Sequence, residues 1–203
     1  MKKVMFEKPG TMLYPVPAVM VSCGERPDTY NIITIAWTGT VNSEPPMLYI
    51  SVRKSRYSHE IISETGEFVV NLTTSDLAEV TDYCGVKSGR DVNKFEEKKL
   101  TPVPASYVKC PMIGESPLNI ECKVKQVIEL GSHDMFLAEV VAVHADENLI
   151  EEDGYFNLER SGLLAFSHGG YFPLSKKRIG RFGYSVMKAK TKKRIARKKA
   201  KND

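Results

Sequence analysis

The chain has 203 residues, 42% hydrophobic and 9% aromatic, with a net charge of +4. That is enough apolar material for one large domain with a proper core, which excludes a globally disordered chain. No apolar run approaches the roughly 20 residues of a membrane-spanning helix. The charge is uneven: fourteen Lys or Arg follow Glu159 with no acid before Asp203, so residues 1–159 carry 24 acidic against 15 basic groups.

"MKKVMFEKPGTMLYP" lacks the long apolar centre of a signal peptide, so it reads as ordinary mature sequence and the expected setting is the cytoplasm. "PVPAVMVSC" (Pro15–Cys23) is a short apolar strand ended by Gly24. "YNIITIAWTGT" (Tyr30–Thr40) is rich in β-branched residues and predicts its hairpin partner. "PPMLYISV" (Pro45–Val52) predicts a third strand, with prolines placed where they spare the ladder.

Next comes "SVRKSRYSHEII", where Arg53, Lys54 and Arg56 stand among the hydroxyls of Ser51, Ser55, Tyr57 and Ser58. It predicts a helix with Ser55 or Ser58 as N-cap and Gly66 as its stop. Such a cluster is either a solvated turn or an anion site, because a helix N-terminus offers free N–H groups and partial positive charge. Arg adds forked donors to phosphate oxygens. Neither G-x-x-x-x-G-K-[ST] nor G-x-G-x-x-G occurs, so a single terminal phosphate, as on flavin mononucleotide (FMN), fits better than a triphosphate.

"EFVVNL" (Glu67–Leu72) predicts a fourth strand, and "TTSDLAEVTDYCG" a helix stopped by Gly85. In "PLNIECKVKQVIEL" (Pro117–Leu130), Ile120, Cys122, Val124, Ile128 and Leu130 alternate with Glu121, Lys123, Lys125 and Glu129. The first set is expected on the core and the second in water, with a break at Gln126–Val127 that predicts a bulge or a polar interior contact. "GSH" then turns into "DMFLAEVVAVHAD", expected to be buried on both sides. Six or so strands with two short helices predict a mainly β protein, a closed β-barrel that leaves few exposed edges.

A flavin would need a polar ring edge and a flat wall. Extended backbone from Thr34 to Thr38 offers the first, and Trp37 with Tyr49 the second; Trp37 as simple core is the competing reading. The four cysteines show no C-x-x-C and the four histidines no H-x-x-H, so reduced thiols are expected and no metal site is indicated.

"PVPAVMVSC", "YNIITIAWTGTVNSEPPMLYISVRKSRYSHEII", "GEFVVNL", "SGRDVNKFE" and "GSHDMFLAEVVAV" follow one another in an order that resembles the flavin reductase-like family, flavoredoxins included. The likeness runs from about Tyr14 to Tyr184, and "HGGYFPLSKKRIGRFGYS" is similar to the flavoredoxin branch. The resemblance implies an FMN-binding split β-barrel of Greek-key type over residues 1–184, a homodimer, and a basic extension over 185–203. It implies FMN contacts from Asn31, Thr34, Ile35, Ala36 and Trp37 at the ring side. Phosphate and ribityl contacts are implied from Ser51, Val52, Arg53, Ser55, Arg56, Tyr57 and Ser58, with Asn71 close by. Tyr171 and the Lys176–Lys177 pair are expected to close the site or reach the partner subunit.

In the family pattern a Gly-Asp-His turn is associated with the nicotinamide side. Here it is "GSHD", so His133 is the residue expected beside NADH or NADPH, a turn histidine being the alternative. No catalytic acid or base is required, since the cofactor carries the chemistry. Two functions stand side by side: an NAD(P)H-dependent FMN oxidoreductase, and a flavoredoxin-type electron carrier reduced by a partner protein. The acceptor is a small molecule or a protein. A third reading gives the basic tail to nucleic acid, but no aromatic residue follows Tyr184 to stack on bases. The tail is otherwise a solvated extension.

Overall fold

The computed structural model describes residues 1–175, 178–180, 182–188 and 191. In chain order its elements begin with strands Val16–Pro17 (β1), Val19–Cys23 (β2), Asn31–Ile35 (β3), Thr38–Ser43 (β4) and Pro46–Arg53 (β5). Helix Tyr57–Thr65 (α1), strand Glu67–Leu72 (β6), and helices Ala78–Val86 (α2) and Lys94–Glu97 (α3) follow. Two-residue strands Pro102–Val103 (β7) and Met112–Ile113 (β8) precede the long hairpin Leu118–Glu129 (β9) and His133–Ala145 (β10). Leu164–Ser167 (β11) and Gly170–Pro173 (β12) close the set.

Seven strands form the main sheet, in the order β3-β2-β6-β9-β10-β5-β4, with every pairing antiparallel. The two edge strands, β3 and β4, are consecutive in the chain. The run Tyr30–Thr40, expected as one strand, therefore breaks at Ala36–Trp37, pairing with β2 before the bend and with β5 after it. β-Branched composition marks both halves as strand, and only tertiary pairing separates them. The Ser51 N–H donates to the Trp37 carbonyl at 2.9 Å and ties the bend to β5. The sheet thus curls until its edges are joined by one short piece of chain.

Alternate residues fill the interior: Val19 and Val21, Ile33 and Ile35, Ile50 and Val52, Phe68 and Val70, Phe136 and Ala138, with Ile61 and Ile62 of α1 among them. The opposite faces of β2 and β3 are covered too, because Met20 and Ile32 pack with Leu77, Cys84, Phe95 and Ile113. Burying one such side chain contributes about 1.5–3 kcal/mol, so the two-sided burial of β2 and β3 fixes the strand that runs beside the site.

Several expectations need correction. α1 has Arg56, not Ser55 or Ser58, as N-cap, and no side chain caps it; Gly66 does end it, at φ 67°. α2 runs through Gly85 to Val86, since Gly85 lies against Thr34, where a Cβ would come within 3.2 Å of the Thr34 Cβ. β10 alternates instead of burying both faces: Asp134, Phe136 and Ala138 are buried while Met135 and Leu137 are half-buried. Leu130 lies beyond β9 and is exposed.

On β9 the expected bulge is present, a register shift beside Gln126, but Glu121 is not in water. It is fully buried and accepts the backbone N–H groups of Ser106, Tyr107 and Val108 at 2.8, 2.7 and 3.1 Å, with His144 Nε2 at 2.6 Å. A loop folding over this face turns a nominally wet carboxylate into an anchor. No helix among the described residues is long and apolar enough to cross a membrane. All four cysteines are free and buried. Lys176, Lys177 and most of the basic tail lie outside the described residues.

Candidate functional site

A cleft of about 140 Å³ opens where β3, the start of α1, the end of α2 and α3 meet. Asn31 and Ile33 supply one wall, Ser55, Arg56, Tyr57 and Ser58 a second, and Cys84, Gly85, Lys87, Ser88 and Gly89 with Lys94 the third. Three cations (Arg56, Lys87 and Lys94) line it, and no carboxylate does. The free N–H groups of α1 add to the positive field.

Lys94 is the least expected of these residues. Asn93 caps α3 by accepting from the Phe95 and Glu96 N–H groups, which fixes Lys94 as the first helical residue. Its side chain is 3% exposed, and Nζ donates to the carbonyls of Ile32 at 2.5 Å and Cys84 at 2.8 Å. An ammonium has three donors, so one remains for an acceptor in the cleft. Burial holds the Lys94 pKa below the usual lysine value. An anion beside it would offset that cost.

Ser58 is 1% exposed and accepts from Asn31 Nδ2 at 2.8 Å. Burial pushes the neighbouring Cys23 thiol up to about 12, with Ser58 and Lys94 opposing, so it is no thiolate nucleophile. Gly89 passes directly behind Asn31 and leaves no room for a side chain.

At the far end of β3 the chain presents Trp37. It is 38% exposed, which decides against its being simple core. Its ring centroid lies 4.6 Å from that of His133, at an interplanar angle of 38°. His133 pairs with Arg53 across β10 and β5, and its Nδ1 lies 2.9 Å from the Ser132 hydroxyl. Burial, then Arg53, lowers the His133 pKa, so the ring stands neutral near pH 7. From Asn31 to Trp37 is six residues, at most about 20 Å of extended chain, so the cleft and the aromatic wall draw on the two ends of one short segment that bends at Ala36–Trp37.

The predicted residues divide accordingly. Asn31, Ser55, Arg56, Tyr57 and Ser58 meet in the cleft, while Trp37, His133 and Arg53 meet at the wall. Ile35 and Val52 turn their side chains into the core and have only backbone to offer. Thr34 donates its hydroxyl to the Thr81 carbonyl, Ser51 is half-buried, and Ala36 lies in the bend, so the backbone there is kinked where extended backbone was expected.

Asn71 is elsewhere. It is fully buried, donates to the Met20 carbonyl and Ser22 Oγ, both at 3.0 Å, and accepts from Ile113 N–H and Asn119 Nδ2. Its amide is engaged by the protein's own core, which leaves nothing for a ligand. Tyr171 on β12 also lies apart from the cleft lining: it donates to Asp82 Oδ1 on α2 at 3.2 Å, and burial with Asp82 pushes it up to about 12. Lys54 turns away to Glu129 at 2.6 Å and Asp134 at 3.4 Å. Lys87, Ser88, Gly89 and Lys94 were not singled out from sequence; the cap signature of Asn93 before Glu96 was the available signal.

Comparison with known proteins accords with this architecture. Residues 11–175 match the sequence family described as the flavin reductase like domain. An uncharacterized protein of Archaeoglobus fulgidus is 37% identical over 136 residues, 66% of this chain and 75% of that one. The flavoredoxin of Desulfovibrio vulgaris (Miyazaki F) superposes with a TM-score of 0.82 at 31% identity, covering 91% of this chain and 100% of that chain. A putative flavin reductase of Shewanella frigidimarina with a split barrel domain shares the fold at a TM-score of 0.74 and 22% identity, over 84% of this chain and 86% of its own. A large antiparallel sheet whose two edge strands are consecutive in the chain, a few short helices and a family match over most of the length lead to one conclusion: this chain belongs to the flavin reductase-like family.

Proposed function

We propose that this protein binds FMN and passes reducing equivalents from NADH or NADPH through it to an acceptor. The observation that carries the reading is the cleft lined by Arg56, Lys87 and Lys94, without a carboxylate, whose Asn31 lies six residues along the chain from Trp37 of the Trp37–His133 pair. A dianionic phosphate suits it: Lys94 keeps a free donor, and the start of α1 offers backbone N–H groups. A planar ring suits the other end, where Trp37 gives a flat wall and the bend at Ala36–Trp37 supplies backbone donors and acceptors. FMN, when bound there, supplies hydride acceptance and one- or two-electron release.

The chain's own residues then bind and orient. Arg56, Ser55 and Lys94 hold the phosphate, the Ala36–Trp37 backbone engages the ring edge, and neutral His133 sits where a nicotinamide would stack. No side chain needs to move a proton. A homodimer built on residues 1–184, a cytoplasmic setting for the free thiols, and a small-molecule or protein acceptor belong to the same reading.

A second reading, an FMN electron carrier without NAD(P)H turnover, is favoured by one observation. His133 is packed on Trp37 and bonded to Ser132, so its ring is already engaged. Anaerobic mixing of NADH, then NADPH, with the FMN-loaded protein distinguishes the two. Rapid bleaching of the flavin band supports the oxidoreductase and names its donor. Bleaching by dithionite alone supports the carrier, and failure to retain FMN at all overturns both.

A further inference from the structure

The cleft's Ser55–Ser58 wall runs from the β5–α1 turn into the first turn of α1, yet no side chain caps that helix. Its backbone is held by Arg56 N–H on the Arg53 carbonyl at 3.0 Å and His59 N–H on the Arg56 carbonyl at 2.9 Å, and two side chains fasten it to the rest of the fold. One fastener is Asn31, whose amide holds Ser58. The other is Asp134 on β10, a carboxylate 5% exposed that the proposed electron path does not use.

Asp134 Oδ2 lies 2.8 Å from His59 Nε2, in the first turn of α1. Its Oδ1 faces the Lys54 ammonium at 3.4 Å, and Lys54 is held from the other side by Glu129 at 2.6 Å. The His59 ring packs edge-on against Phe136, with centroids 5.3 Å apart, so its approach to Asp134 is fixed by the core. Both ends of the β5–α1 turn, Lys54 and His59, are thus drawn to one carboxylate. Asp134 follows His133 directly, and in a strand the two project to opposite faces. One residue faces the wall on Trp37, and the next grips the turn that forms the cleft.

We infer that Asp134, acting through His59 and Lys54, is a positioning residue that sets the phosphate-binding turn at the right span from the Trp37–His133 wall, and so selects a flavin with a terminal phosphate over one without. This rests on the FMN reading above. Riboflavin has the same ring but lacks the phosphate, so it samples the wall without the turn. The ratio of FMN to riboflavin affinity therefore isolates the span, which general loosening of the fold would leave unchanged.

The test measures both affinities by flavin fluorescence for the wild-type full chain and for Asp134→Ala, His59→Ala, His59→Gln and the double alanine variant. Expected is a loss of about ten-fold in FMN affinity for either alanine variant, the scale of one charge-assisted hydrogen bond, with riboflavin affinity unchanged. The double variant should lose no more than Asp134→Ala alone, and His59→Gln, which can still donate to Asp134, should recover most of the ratio. A ratio unchanged in folded Asp134→Ala overturns the inference, as does a parallel loss for both flavins. Should Asp134→Ala fail to fold, His59→Ala and His59→Gln decide by the same criterion. A wild-type protein with no preference for FMN over riboflavin overturns the phosphate reading itself, a result distinguishable from the other two.

Discussion

A Cβ built on Gly89 would stand 2.1 Å from Oδ1 of Asn31. Asn31 is 3% exposed and its amide holds Ser58, so it has little room to retreat. Gly89→Ala should push Asn31 off Ser58 and deform the cleft. We expect a loss of stability of about 1–3 kcal/mol from overpacking and weaker FMN binding, read by thermal melting and by flavin titration.

Lys94 gives a prediction in which two signs differ. Its pKa is held below the usual 10.5 by burial, so the unfolded state binds the proton more readily. Stability should therefore rise with pH through the range where folded Lys94 loses its proton. FMN affinity should fall over the same range, because the ammonium is gone. Lys94→Met keeps the volume and removes the buried charge but takes a donor from the Ile32 and Cys84 carbonyls; it should cost about 1–3 kcal/mol of stability, bind FMN more weakly, and lose this pH dependence of binding. Denaturant titration and flavin titration between pH 7 and 11 check both halves.

His133 has its pKa lowered from the ordinary 6.5 by burial, then by Arg53. Its substitution by Ala should raise KM for the nicotinamide donor and leave the FMN dissociation constant nearly unchanged. In the wild type, the rate of flavin bleaching by that donor should show no histidine inflection above pH 6.5. Anaerobic stopped-flow measurements over pH 6–8 are the check.

Glu121 concerns stability alone. Burial raises its pKa, but the Ser106, Tyr107 and Val108 N–H groups and His144 outweigh that and hold it below the usual 4.5. The stabilisation is therefore complete above pH 4.5 and is lost as pH falls through the lower folded value. Glu121→Gln replaces one acceptor by a donor among donors and should cost about 3 kcal/mol. Its unfolding profile should also lose part of the acid limb, as seen by denaturant titration between pH 3 and 7.

Asn71 separates packing from binding. Asn71→Leu strips the Ile113 N–H of its acceptor and Asn119 Nδ2 of one of its two, and should cost about 2–3 kcal/mol. The folded fraction should keep its FMN affinity. A selective loss of FMN binding at unchanged stability would return Asn71 to the cofactor.

What the sequence displayed and what it hid divide along physical lines. β2, β5, β6 and β9 were legible because β-branched runs, period-two alternation and turn residues are local signals. The Ser55–Ser58 wall was legible because cations and hydroxyls cluster within a few positions. Lys94 reaches the Ile32 carbonyl across 62 residues, and Asn71 reaches Met20 across 51, so no local pattern announces either. Glu121 was misread for the same reason: alternation identifies a face, not the loop that covers it. The Ala36–Trp37 bend was hidden because both halves of its run favour strand.

That bend has an optical consequence. The chain has a single tryptophan, and it sits at the weld where the two rims of the sheet become one stretch of polypeptide. If the proposed site is right, the protein's only indole watches two events from one place: arrival of a yellow chromophore against its ring, which would quench its emission, and parting of the rims on unfolding, which would shift that emission to the red. One fluorimeter trace, followed in wavelength and in intensity, separates an empty fold from a broken one.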